Sequence, residues 1–251
     1  MIRVQIDESV TTVILDAPEV KNALTAEMIN DVERAIQDAA KNEECRCLII
    51  RGANGNFCTG RNLTEEIDQE LRSVLKREND WVRLFQQLRE LRKPSVAVVE
   101  GYAVAGGFTL AMGCDFVIAE VSAVFGAFEM RNGFPAAVNT PLLAKLVGPR
   151  LALEWALLGE PIPAKRLFDM GLINRLVEDS SDLSAEANSF ISQLIALDPS
   201  AVAIAKEIHH AARNMPLSDA LAMGAQQNSL ISASGWLAQS AAKFSAGRKQ
   251  R

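Results

Sequence analysis

Two glycine turns and one carboxylate carry the chemistry that this sequence can do. Val104-Ala105-Gly106-Gly107 leads out of a β-like run into a small apolar helix, and Asn56-Phe57-Cys58-Thr59-Gly60-Arg61-Asn62-Leu63 stands in the same strand-to-helix setting, ahead of a helix expected to be capped by Thr64. Such turns bare backbone N–H groups at the positive end of a helix dipole, where they can hold a developing oxyanion. Taken alone, Gly106-Gly107 reads as close helix–strand packing. Two turns after neighbouring parallel strands say more, because both would lie at the strands' carboxyl ends, where α/β sheets place ligands. Neither turn matches a Walker loop or a dinucleotide fingerprint. The carboxylate is Glu129, set among apolar neighbours in Phe125–Pro135. Burial there raises a carboxyl pKa, as a general acid/base needs. The competing reading is an ion pair with Arg131 or with a neighbouring chain.

The elements that must position these groups alternate through the first half. Ile2–Ile6 and Val10–Leu15 are β-rich on either side of Asp7-Glu8-Ser9, a hairpin signal. Thr25 caps a helix carrying Met28, Val32 and Ile36. Cys45–Arg51 and Ser95–Glu100 read as buried strands, and Trp81, Leu84, Phe85, Leu88 and Leu91 form a helical stripe between them. Asp115–Ala119 reads as a further strand. The second half turns helical at 142–146, 150–158, 164–170 and 183–197, with a last strand at 172–177 and an N-cap at Asp198-Pro199. This is an α/β core, expected over residues 1–190, with an appended helical region, 191–251.

Composition narrows the classes. The chain has 26 basic and 31 acidic residues, a net charge of −5, so nucleic acid and anionic membrane are not expected partners. Cys45, Cys47, Cys58 and Cys114 include no C-x-x-C pair, and only two histidines accompany them, so no metal site is expected. The adjacent His209 and His210 point about 100° apart on a helix. Reduced thiols and a start straight into IRVQID fit a cytoplasmic protein.

In order, Pro18-x-x-Lys21-Asn22-Ala23-Leu24, Phe57–Leu63, Gly101–Gly107, Cys114-Asp115 and Phe125-Gly126-x-x-Glu129-x-x-x-Gly133 resemble the crotonase superfamily of enoyl-CoA hydratases and isomerases, as do Gly159–Ala164 and Gly171–Val177. The resemblance covers nearly the whole chain. It implies a ββα spiral core with a helical C-terminal region that builds a homotrimer, often a dimer of trimers. It also implies an acyl-CoA substrate, with coenzyme A arriving as part of the thioester and no permanently bound cofactor. Carried over by position, the N–H groups of Arg61 and Gly106 stabilise the thioester enolate and Glu129 moves the proton. Lys21, Ala23 and Leu24 line the coenzyme A site together with Cys58, Gly60, Arg61, Asn62 and Leu63, and Tyr102 packs in the pocket wall. Lys243, Phe244, Arg248 and Lys249 are candidates to reach the coenzyme of the next subunit.

Three departures bear on the reaction. Thr109 stands where the family's hydratases carry a first catalytic glutamate, and threonine cannot ionise near neutral pH, although its hydroxyl can orient water or substrate. Glu129 as sole acid/base resembles the Δ3,Δ2-enoyl-CoA isomerases, and also hydratase–lyases acting on aryl-CoA. Arg61 replaces a small residue, and turned inward its guanidinium would favour a carboxylated acyl group. The segment after Gly133 is one residue short of the common pattern. Glu65 and Glu66 are expected to start the next helix at its positive end, and Cys58 reads as a small buried thiol. The open alternatives are a CoA-dependent C–C lyase or decarboxylase, and a catalytically silent CoA-binding subunit.

Overall fold

The computed structural model describes residues 1–65 and 68–237. Ile2–Asp7 (β1) and Val10–Leu15 (β2) pair antiparallel from Ile2 opposite Leu15 to Asp7 opposite Val10. Thr25 Oγ1 accepts the Met28 N–H at 3.2 Å and opens Ala26–Lys41 (α1). There follow Cys47–Gly52 (β3), Leu71–Glu90 (α2), Ser95–Val99 (β4), Tyr102–Val104 (β5), Gly106–Gly113 (α3), Phe116–Glu120 (β6) and Val124–Gly126 (β7). Beyond them lie Asn139–Leu146 (α4), Pro149–Leu158 (α5), Ile162–Pro163 (β8), Ala164–Asp169 (α6), Arg175–Val177 (β9), Leu183–Ile195 (α7), Pro199–Ala212 (α8) and Leu217–Ala233 (α9).

The larger sheet runs β1-β2-β3-β4-β6-β9 and is parallel except for the opening hairpin. Its central strands bury both faces, as parallel sheets do. Leu48, Ile50, Ala97 and Val99 face α1, α2 and α3, while Cys47, Ile49, Val96 and Val98 face Leu183, Phe190 and Ile191 of α7. A smaller sheet, β5-β7-β8, was not anticipated: its three strands have two or three residues each, too few to show a period. It matters for the site, because the Cys58 N–H donates to Tyr102 O at 2.8 Å and Val104 N–H to Cys58 O at 3.0 Å, so the first glycine turn joins this sheet through β5.

The expected helix after Leu63 begins later, at Leu71. Thr64 does not cap it. Both its N–H and its hydroxyl donate to Asn62 Oδ1, at 3.0 and 2.8 Å, closing a local Asx turn instead. Asp68 then accepts from Glu70 N–H and the Ser73 hydroxyl ahead of α2. Asp198 caps α8 as expected, accepting from the N–H groups of Ser200 and Ala201. The chain forms two compact units, Met1–Val202 and a second from Ala203 onward. In the second, α9 has no buried residue, and Leu217, Leu221 and Leu230 are exposed.

Candidate active site

The two glycine turns interlock. A Cβ on Gly60 would come within 2.8 Å of the Gly106 nitrogen, and one on Gly106 would meet Gly60 Cα at 3.2 Å and the Trp81 ring at 3.0 Å. A Cβ on Gly107 would overlap the Cys58 carbonyl. These glycines exist to let two backbones touch. Leu24 bridges Arg61 in parallel: Leu24 N–H donates to Gly60 O at 2.7 Å, and Asn62 N–H to Leu24 O at 2.8 Å. That pattern turns the N–H of Arg61 itself to the opposite side of the strand. Gly106 is the first residue of α3, so its N–H is one of the helix's unpaired first-turn donors. The two N–H groups thus belong to adjoining backbones.

Glu129 sits in a short 3-10 turn, Phe128–Asn132, at 9% exposure. Burial pushes its pKa above the ordinary carboxyl value, partly offset by its own backbone N–H, by the Asn139 amide and by the Arg61 charge. The carboxylate makes no ion pair among the described residues. Arg131 instead lies over the Phe128 ring, 4.5 Å from its centroid. Oε1 accepts from Asn139 Nδ2 at 2.9 Å, and Oε2 is buried without a partner among the described residues.

Asn139 ties the two halves of the site together, and sequence reasoning missed it. The same Nδ2 that meets Glu129 also donates to Ala105 O at 2.9 Å. Ala105 O and Gly106 N–H belong to one trans peptide, so they point in opposite directions. Holding the carbonyl back aims the N–H forward, and a hydrogen bond on the carbonyl polarises that N–H as a donor. The peptide needs holding: Ala105 adopts φ +50°, ψ −126°, a strained conformation for a residue with a Cβ. Its N–H is anchored to Gly126 O at 2.8 Å. Asn139 opens α4, five residues beyond Phe134. No periodicity points to it, because its partners come from Glu129 ten residues away and Ala105 thirty-four away.

The other expected site residues fall into two groups. Lys21, Leu24, Gly60, Arg61, Asn62 and Tyr102 form one strip, in which Thr59 Oγ1 donates to Val20 O at 3.1 Å. Ala23 and Leu63 sit at its ends, Ala23 N–H bonded to Val20 O and Leu63 exposed. Asn22, fully buried, clamps this strip by accepting Ala17 N–H and donating to Ala53 O and Asn56 O. Tyr102 does not pack inside the pocket wall: it is partly exposed, with the Lys21 amine 4.5 Å from its ring centroid. Cys58 is an inert wall thiol, pushed up to about 12 by burial. Thr109 is buried, and its hydroxyl turns back toward Ala105 O at 3.4 Å. Glu65 does not start a helix of its own. Its carboxylate accepts the Ala26 N–H and caps α1 instead. Arg61 turns toward α2, where Nη1 meets Glu78 Oε1 at 2.6 Å. Glu66 and the four C-terminal candidates, Lys243, Phe244, Arg248 and Lys249, lie outside the described residues.

The chain matches known proteins along its length. The family model for enoyl-CoA hydratase/isomerase matches residues 5–249. A short-chain-enoyl-CoA hydratase from Clostridium acetobutylicum is 29% identical over 85% of this chain and 82% of its own. The crystal structure of an enoyl-CoA hydratase from a Polaromonas species superposes with TM-score 0.80 at 30% identity, covering 95% of this chain and 97% of that one. One from Bacillus anthracis superposes at 0.84 with 25% identity, covering 90% and 88%.

Proposed function

The chain belongs to the enoyl-CoA hydratase/isomerase family, with its ββα spiral core and helical C-terminal region, and processes acyl-CoA; from that premise we propose that it shifts the double bond of an enoyl-CoA with Glu129 as its single acid/base. The observation that carries this reading is the shared Asn139 amide, which joins the buried Glu129 carboxylate to the peptide bearing the Gly106 N–H. Glu129 takes the C-2 proton of a 3-enoyl thioester. The electron pair moves onto the thioester oxygen, where the N–H groups of Arg61 and Gly106 receive it. The protonated Glu129 returns its proton to C-4, leaving a 2-enoyl thioester. A carboxyl whose pKa is raised by burial can both accept and donate here. Thr109, which cannot ionise, plays no acid/base part and helps hold the Ala105 carbonyl. The scheme uses coenzyme A only as part of the substrate, seated along Lys21–Leu24 and Cys58–Leu63.

Hydration is the second reading, supported by the hydratase names of the relatives. There one carboxyl would activate water and then protonate C-2, with Thr109 near the water. Homotrimer formation is supported by exposed Leu153, Leu157, Leu217, Leu221 and Leu230, apolar surface that association would cover. A monomer in light scattering at micromolar concentration would refute it. The four cysteines, buried and in no disulfide, suit a reducing cytoplasm.

The test is product analysis by liquid chromatography and mass spectrometry on mixed 2- and 3-enoyl-CoA esters, with Glu129→Gln as control. Conversion of 3-enoyl to 2-enoyl ester without mass change, lost in the variant, is the expected result. A gain of one water, lost likewise, would replace isomerase by hydratase. No change in either ester would overturn both in favour of a C–C lyase, a decarboxylase or a silent subunit.

A further inference from the structure

Beside the oxyanion turn stands a cluster that the proposed proton transfer does not use. Arg61 and Arg77 converge on one carboxylate oxygen: Arg61 Nη1 lies 2.6 Å and Arg77 Nη2 3.5 Å from Glu78 Oε1. Two cations share one anion, so the cluster carries a net charge of about +1. The Nε and Nη1 donors of Arg77 are buried and have no hydrogen-bond partner among the described residues. Buried guanidinium donors without partners are rare and costly, which marks them as awaiting an acceptor.

The cluster's place in the fold says which acceptor. Arg77 and Trp81 are one helical turn apart on α2 and share a face. The Trp81 ring packs against Gly106, a member of the oxyanion turn. Arg61 contributes its own backbone N–H to that turn, and its charge is felt at Glu129. The Arg61 backbone belongs to the strip proposed for the coenzyme, but its guanidinium turns from that strip toward Glu78 and Arg77 on α2, on the side of the oxyanion turn where Trp81 packs. Resting on the acyl-CoA reading above, we propose that Arg61 and Arg77, spaced by Glu78, form a carboxylate-binding subsite, and that the substrate is the mono-CoA thioester of a dicarboxylic acid. A free carboxylate on the acyl chain would bring the cluster to neutrality and satisfy the orphaned Arg77 donors.

Binding of saturated esters tests this apart from turnover. Calorimetry would compare ω-carboxyacyl-CoA esters of four to seven carbons with methyl-ended acyl-CoA esters of equal length, on the full-length protein. At least one carboxylated ester is expected to bind about 10- to 100-fold more tightly than its neutral partner, as charge-assisted hydrogen bonds allow. Arg77→Met should abolish that ratio. Glu78→Gln should raise it, because both guanidinium groups then lose their competing anion, and a merely structural cluster would not respond in opposite directions. Equal affinity of carboxylated and neutral esters at every length would overturn the subsite while leaving the acyl-CoA reading intact. A parallel loss of both ester types in Arg77→Met would overturn it too, assigning the cluster to the coenzyme. Failure of every ester to bind would remove the acyl-CoA reading itself.

Discussion

The two walls of the site are built from different materials. The proposed oxyanion wall, Gly60–Asn62 against Ala105–Gly107, is backbone, and its side chains matter chiefly where there are none. The proposed acid/base wall, Phe128–Asn139, is made of side chains: one carboxylate on a short turn and one amide that reaches it. The first wall fails when atoms are added, and the second when they are removed. Asn139 is the joint, since one amide nitrogen serves both walls.

The sharpest test of the second wall is Glu129→Gln, which keeps shape and removes the acid/base. Turnover of the preferred enoyl-CoA should fall about 1,000-fold, within the range for general acid–base groups, and a steady-state assay with less than about tenfold loss would break the assignment.

The first wall is tested by Gly107→Ala. The added Cβ meets the Cys58 carbonyl and pushes the two turns apart, so kcat should fall about 100-fold, as for loss of one oxyanion donor. Gly171 provides the contrast. It has positive φ, +76°, which Gly107 does not, and open space around its Cβ. Gly171→Ala should cost about 1 kcal/mol in urea unfolding, the usual strain of a left-handed residue, while kcat stays at wild-type level. Equal kcat losses in both variants would mean that the loss in Gly107→Ala does not come from the Cys58 contact.

Asn139→Ala tests the joint. Kcat should fall about tenfold, and the acidic limb of the kcat/KM profile should move to higher pH. The sign follows from the bond: the Asn139 amide stabilises the ionised Glu129, so its loss raises a pKa already lifted by burial. A kcat loss with an unmoved limb would show that Asn139 serves only the Ala105 peptide.

The smallest effect is on stability. Glu129 binds its proton more tightly folded than unfolded, so the buried carboxylate costs stability at neutral pH, and this cost vanishes below the ordinary carboxyl pKa. Glu129→Gln should therefore raise Tm by about 2 °C at pH 7 and leave it unchanged near pH 3.5. A gain that persists in acid would point to packing instead.

Much of this arrangement is legible locally. The β1–β2 hairpin, the Thr25 and Asp198 caps and the doubly buried β3 and β4 follow from turn residues, cap chemistry and hydrophobic period, all short-range signals. The two glycine turns and Glu129 are recognisable because their residue types are unusual for their surroundings. The late start of α2 is missed because Thr64 has a competing partner, Asn62, two residues away. The short strands β5, β7 and β8 carry no period at all.

The sequence alone therefore determines which groups are present: the paired turns, the lone carboxylate, and threonine where a second glutamate would sit. Only the tertiary structure decides what each group faces. It gives Glu65 to α1, Arg61 to Glu78, and Asn139 to both Glu129 and the Ala105 carbonyl. The reason is physical. Cap and period preferences act within a few residues, whereas these contacts close loops of ten to thirty-nine residues, and the partner is chosen by how the sheet and helices pack.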